Sequence, residues 1–297
     1  MPEPLLYGKA MIAAALASAA CTLMLLGRRR PQSAARGNLT GALGMGLGLT
    51  VGYYFLNVRP AWPPASSLDR FLVIVLPIAL GIESLGGATL APPWLARLLR
   101  VSWCAAIGMI LLHNSVYVSG TRREWSRAEA VVTLAVCGAL LAVLWMLVIR
   151  LSRRSPGVSL PLTLAMSIQT AGAAIMLGGY LQGGAAAFPL TAALAATALV
   201  LWRCGELSQA PSLLSVGVVG LFSLLFIGRY FGNLSTISAL AILLAPLLSW
   251  VTEIPWFRRQ RPWVFETLRL AVTATPLVIV LIFAKLEFDR KLGPLLL

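Results

Sequence analysis

Residues 130–149 read AVVTLAVCGALLAVLWMLVI, twenty consecutive positions without a charge. Arg127 and Glu129 stand just before this stretch and Arg150, Arg153 and Arg154 just after it. A bilayer core about 30 Å thick is crossed by about 20 apolar residues in a helix, because every backbone N–H and C=O must be satisfied within the segment. The stretch therefore predicts a transmembrane helix with charged ends.

The same ruler, moved outward, finds nine more candidates. Upstream lie Ala10 to Gly27, Leu39 to Asn57, Phe71 to Leu90 and Val101 to Ser119. Downstream lie Leu160 to Leu181, Ala187 to Trp202, Leu213 to Phe231, Ile237 to Val251 and Val264 to Ala284. The expectation is an all-α, polytopic transmembrane bundle of about ten spans, or eight if the short seventh and ninth runs do not cross. The loops between spans are too short to fold alone, so residues 1–297 form a single integral membrane domain.

Composition agrees: 59% of the residues are hydrophobic and only 11% charged, and the mean hydropathy is +0.85, outside the range of soluble domains. Lys and Arg number 24 against 10 Asp and Glu. In a soluble chain that excess would suggest nucleic acid. Here the arginines cluster between apolar runs, the pattern of topogenic loops and lipid-headgroup contacts, with no nucleic-acid partner implied. Cys21, Cys104, Cys137 and Cys204 sit singly in apolar runs, without a CxxC pair, and read as packing residues. Ser18-Ala19-Ala20-Cys21 resembles a lipoprotein cleavage box only superficially, since Arg28, Arg29 and Arg30 follow the apolar run instead of preceding it. A retained first helix is the expectation.

Orientation follows from alternation. If the loop bearing Arg28, Arg29, Arg30 and Arg36 is cytoplasmic, that side also receives Arg97, Arg100, Arg150, Arg153, Arg154, Arg203, Arg258, Arg259 and Arg261. The opposite internal loops receive only Arg59, Arg70, Arg122, Arg123, Arg127 and Arg229. The positive-inside bias then places the protein in the cell membrane with its N-terminus, and for ten spans its C-terminus, outside the cytoplasm. Arg28, Arg29, Arg30, Arg258, Arg259 and Arg261 are accordingly assigned to headgroup contact and topology. Tryptophans beside Pro or Arg, such as Trp62, Trp94, Trp125, Trp256 and Trp263, read as interfacial anchors.

Ten spans divide into two five-helix halves, 1–155 and 156–297. An odd number per half would make them inverted copies, as in many secondary transporters. Short echoes such as Leu39-Thr40-Gly41-Ala42-Leu43 and Leu190-Thr191-Ala192-Ala193-Leu194 are the only sequence signs of such a repeat.

An ionisable residue in the middle of a span is costly and so marks a candidate site. Glu83 is the foremost, lying in Pro77-Ile78-Ala79-Leu80-Gly81-Ile82-Glu83. Pro77 removes a backbone hydrogen bond and Gly81 permits unwinding, so a helix break beside a carboxylate is expected. The alternative is a protonated Glu used as interhelical glue. His113, the sole histidine, is followed by Asn114 and Tyr117; His113 and Tyr117 share a helix face, and this polar belt, with Gln169 of the sixth span, completes the candidate substrate or ion pathway. Arg203 and Glu206 have the spacing of a local ion pair, and Arg229 and Arg269 have the reach to snorkel to headgroups. Gly44, Gly48 and Gly52 form two overlapping GxxxG steps, a smooth stripe for helix packing.

No Walker A loop, nucleophile elbow or metal motif is present in the sequence, so neither a cofactor nor a metal is expected. Two functions fit these features best. One is a secondary transporter or permease for a small solute or lipid, with Glu83 in its pathway. The other is a non-enzymatic scaffold or accessory subunit whose partners are membrane lipids and either further copies of itself or another membrane protein. An intramembrane enzyme ranks below both because a single histidine leaves little for acid–base chemistry.

Overall fold

The computed structural model describes residues 4–27, 34–87, 93–118, 124–154, 157–207, 210–253 and 262–292. All regular structure among them is helical. The order is α1 (Pro4–Leu26), α2 (Ala34–Phe55), α3 (Ser67–Arg70), a π-turn (Phe71–Val75), α4 (Leu76–Gly87), α5 (Pro93–Leu112), α6 (Arg127–Arg154), α7 (Ser159–Leu177), α8 (Leu181–Ala185), α9 (Ala187–Arg203), α10 (Ser212–Tyr230), α11 (Thr236–Leu244), a 3₁₀ segment (Ala245–Glu253) and α12 (Pro262–Leu292). Arg28, Arg29, Arg30, Arg258, Arg259, Arg261 and Trp256 lie outside the described residues.

Eight of these runs are long and apolar enough to cross a membrane: α1, α5, α6, α7, α8 with α9, α10, α11 with the 3₁₀ segment, and α12. Two further runs expected to span do not reach that measure: α2, whose apolarity is diluted by glycine, and the run from Ser67 to Gly87, which the π-turn divides. The short seventh span gains length from α8 just before it. The ninth gains reach instead. Its 3₁₀ half rises about 2.0 Å per residue against about 1.5 Å in an α-helix, so 18 residues extend roughly 31 Å.

Helix α10 is the pillar of the bundle. All residues from Ser212 to Gly228 are buried, as a helix that is apolar on every side must be, and α10 packs against α2, α4, α5, α6, α7, α8, α9 and α11. Gly217 and Gly220 make room on it for Leu164, Leu194 and Leu190. Around it, α7 and α9 are two-thirds buried, whereas α1, α5, α6 and α12 keep most of their surface outside the bundle. α1 leans on α2 and α9, so elements from before and after residue 155 interleave.

The glycine stripe of α2 lies where α1 and α9 press closest. A Cβ on Gly44 would meet Thr22, one on Gly48 would meet Ser18 and Ala14, and one on Gly52 would meet Pro189 and Ala14. Close backbone approach is what small residues permit in lipid, where the solvent gives no hydrophobic push between helices.

Candidate functional site

Glu83 lies on α4 four residues from Gly87, and Arg100 lies on α5 seven residues from Pro93. α4 and α5 pack against each other, which brings the two side chains together. Arg100 Nε donates to Glu83 Oε1 at 2.9 Å and Arg100 Nη2 to Glu83 Oε2 at 2.7 Å, a bidentate fork matched to the carboxylate. The Glu83 side chain is 3% exposed. The guanidinium also sits 5.0 Å from the centre of the Trp145 ring on α6, a favourable cation–π distance. The Trp145 indole N–H donates to the Ser215 hydroxyl of α10 at 2.8 Å, and that hydroxyl donates to the Pro211 carbonyl at 3.2 Å. One carboxylate thus ties four helices through a chain of polar contacts. The space left among Glu83, Arg100, Trp103, Trp145 and Ser215 is about 10 Å³, room for one water at most.

A fully buried cation sits at the same end of the bundle, by the alternation of the helices. Arg269 of α12 is wholly inaccessible. Its Nη2 donates to Glu253 at 2.8 Å, its Nη1 to the Ser159 hydroxyl at 3.2 Å and its Nε to the Thr252 hydroxyl at 3.4 Å. The Phe265 ring lies 4.7 Å from the guanidinium. Sequence reasoning expected Arg269 to snorkel to headgroups; instead it is a node between α7, the 3₁₀ segment and α12. Arg229 likewise finds a protein partner, donating to the Thr236 hydroxyl at 2.7 Å. The local pair expected between Arg203 and Glu206 is not formed. α9 ends at Arg203, Gly205 takes φ +75°, and Glu206 leaves one buried oxygen without a hydrogen bond.

The candidate pathway residues do not converge on Glu83. α5 stops at Leu112, short of the expected Ser119, and Asn114 turns the chain away at φ +55°. His113 and Asn114 are therefore exposed at the end of the bundle opposite the Glu83–Arg100 pair. Tyr117 is taken up in an aromatic cluster there: its ring lies 5.0 Å from Trp125 and 5.3 Å from Tyr230, and its hydroxyl donates to the Tyr230 carbonyl at 3.1 Å. Trp125 packs in this cluster, while Trp62, Trp94 and Trp263 are exposed. Gln169 sits midway along α7 with its side-chain oxygen buried and unpaired.

Nor does the third span part at Pro77 or Gly81. The backbone remains helical through both, and the missing Pro77 N–H is accommodated by the wide turn before it, where Leu76 N–H reaches back to the Phe71 carbonyl. A Cβ on Gly81 would touch nothing within 4 Å, so neither close approach nor strain requires glycine there.

Chemically, the two buried pairs are closed. Both Glu83 oxygens are engaged, and moving a proton through that carboxylate would break the two-pronged contact with Arg100. Among the described residues, no group of three His, Cys, Asp or Glu side chains is placed to hold a metal ion. The fold and these pairs define the chain as a multi-pass α-helical membrane protein. No family model matches it, and neither does any curated protein or solved structure.

Proposed function

We propose that this protein is a non-enzymatic membrane scaffold or accessory subunit of a membrane complex, with its intramembrane charges serving helix assembly. The observation that carries this reading is the enclosure of Glu83. The carboxylate that a pathway would present to solute is held by a two-pronged guanidinium in a space of about 10 Å³. The breadth of apolar surface left on α1, α5, α6 and α12 supports the same reading, since it offers lipid or a partner more area than a bundle of this length needs for its own packing. Orientation in the cell membrane follows the arginine bias, with the N-terminus outside the cytoplasm.

A transporter or permease is the second reading, favoured by cavities near both ends of the α8–α9 rod. One of about 690 Å³ is lined by Tyr7, Asn57, Asp69 and Gln182, and one of about 470 Å³ by Arg153, Trp202 and Glu266.

Extraction into native nanodiscs separates the two. The scaffold reading expects a protein mass per particle above the 31.7 kDa of one chain, in a defined stoichiometry, and no solute flux after transfer to proteoliposomes. A lone monomer that exchanges solute under a proton or sodium gradient would overturn it.

A further inference from the structure

The cavity of about 470 Å³ at the Arg-rich end of the bundle has features that the scaffold reading does not use. It is walled by the last turn of α6, the first turns of α7, α10 and α12 and the end of α9, so it opens where headgroups meet the protein. Its volume falls within the roughly 300–1,000 Å³ of ordinary small-molecule sites. Most of its wall is apolar, including Leu160, Leu213 and Leu214, yet among the described residues it carries one side chain of each sign, Arg153 and Glu266.

The anion is fixed. Glu266 Oε2 accepts from the Ser159 N–H at 2.9 Å, and its other oxygen lies against Gly157, where any Cβ would displace it. The cation is free to move, because Arg153 is exposed. Beside this wall Glu206 keeps a second carboxylate oxygen buried without a hydrogen-bond partner. A half-exposed Trp202 ring completes the rim. A fixed carboxylate suits a small ammonium with N–H donors, a mobile guanidinium suits a phosphate, and the apolar wall suits acyl or glycerol carbon.

We propose that this cavity binds a phosphoethanolamine group, with the phosphate on Arg153 and the ammonium on Glu266, carried by a phospholipid whose chains continue along the apolar wall. The site stands on its own residues and holds whether or not the protein is a scaffold.

The test uses the full-length chain, delipidated in detergent and followed by native mass spectrometry. Short-chain phosphatidylethanolamine, phosphatidylcholine, phosphatidylglycerol and free phosphoethanolamine are titrated in parallel. One molecule of the ethanolamine lipid binds saturably, at least about tenfold tighter than the choline lipid, which offers no N–H, or the glycerol lipid, which offers no cation; tenfold corresponds to one charge-assisted contact. Arg153→Gln and Glu266→Gln each weaken binding about tenfold. Glu266→Gln retains an oxygen to accept from Ser159, and the exposed Arg153→Gln carries the result if the former loses stability without lipid. Arg150→Gln, an exposed arginine of the same helix outside the cavity, leaves binding unchanged. Absence of saturable binding, equal binding of the glycerol lipid, or equal loss in Arg150→Gln overturns the site, and free phosphoethanolamine binding as tightly as the lipid overturns the lipid as its source.

Discussion

A buried cation shows what a single residue contributes here. Arg269 is inaccessible and shares its hydrogen bonds among Glu253, Ser159 and Thr252. Replacing it with Met keeps much of the volume but removes the donor to Glu253, Ser159 and Thr252. Breaking one side of a buried pair costs about 3–5 kcal/mol, so Arg269→Met is expected to lower the thermal midpoint in detergent sharply. A midpoint within a degree of wild type would show that Arg269 is not a node. Glu83 was legible in the sequence as an intramembrane carboxylate, but its partner was not. Arg100 was counted among the loop charges because a hydropathy ruler begins a span after the last charge, whereas α5 begins at Pro93 and takes Arg100 inside. Arg269 falls inside its apolar run, Val264 to Ala284, and the expectation that it reaches the headgroups rests only on the length of its side chain near a helix end. Charges that pair between helices lie far apart in the chain, 17 residues for Glu83 and Arg100, so neither announces the other.

At the level of the helix, the glycines separate into those that space and those that do not. Gly48→Val would drive a side chain into Ser18 and the Ala14 carbonyl, parting α1 from α2, at a cost of about 1–3 kcal/mol. Gly81→Ala meets nothing and removes a flexible residue from a helix interior, so it should be neutral or stabilise by up to about 1 kcal/mol. Chemical or thermal unfolding of the two variants side by side checks this contrast, and a Gly81→Ala variant that unfolds as readily as Gly48→Val would refute it. Sequence periodicity could find the α2 stripe because GxxxG repeats on one face. It could not find that Pro77 would be absorbed by a π-turn, since a helix can answer a proline by breaking, kinking or widening, and the choice depends on neighbours. Nor could it place the end of α5, because Val116, Tyr117 and Val118 follow the polar His113, Asn114 and Ser115 and let the run be read on to Ser119, whereas Asn114 adopts a left-handed turn.

For the molecule as a whole, the alternation of ten helical runs and the arginine bias make one geometric prediction. Reporters fused at the two termini should both be active outside the cytoplasm, while a tag placed between α6 and α7, beside Arg150, Arg153 and Arg154, should be cytoplasmic. Termini on opposite faces would show that one of the ten runs does not cross. The all-helical architecture was readable from apolar run lengths because lipid forces each span to satisfy its own backbone. The packing order was not, since α10, α7 and α9 look no more apolar in sequence than the peripheral α6, and only the fold shows which is enclosed. The same fold makes the Glu83–Arg100 pair the joint of α4, α5, α6 and α10, and the case for a scaffold over a pathway rests on that joint being structural. The most direct measurement is thermal unfolding of Glu83→Arg, Arg100→Glu and the double exchange in one detergent. A structural joint predicts that each single change loses roughly 3 kcal/mol or more and that the exchanged pair recovers much of it; a double exchange no more stable than the singles, or single changes that leave the midpoint unmoved, would contradict the account.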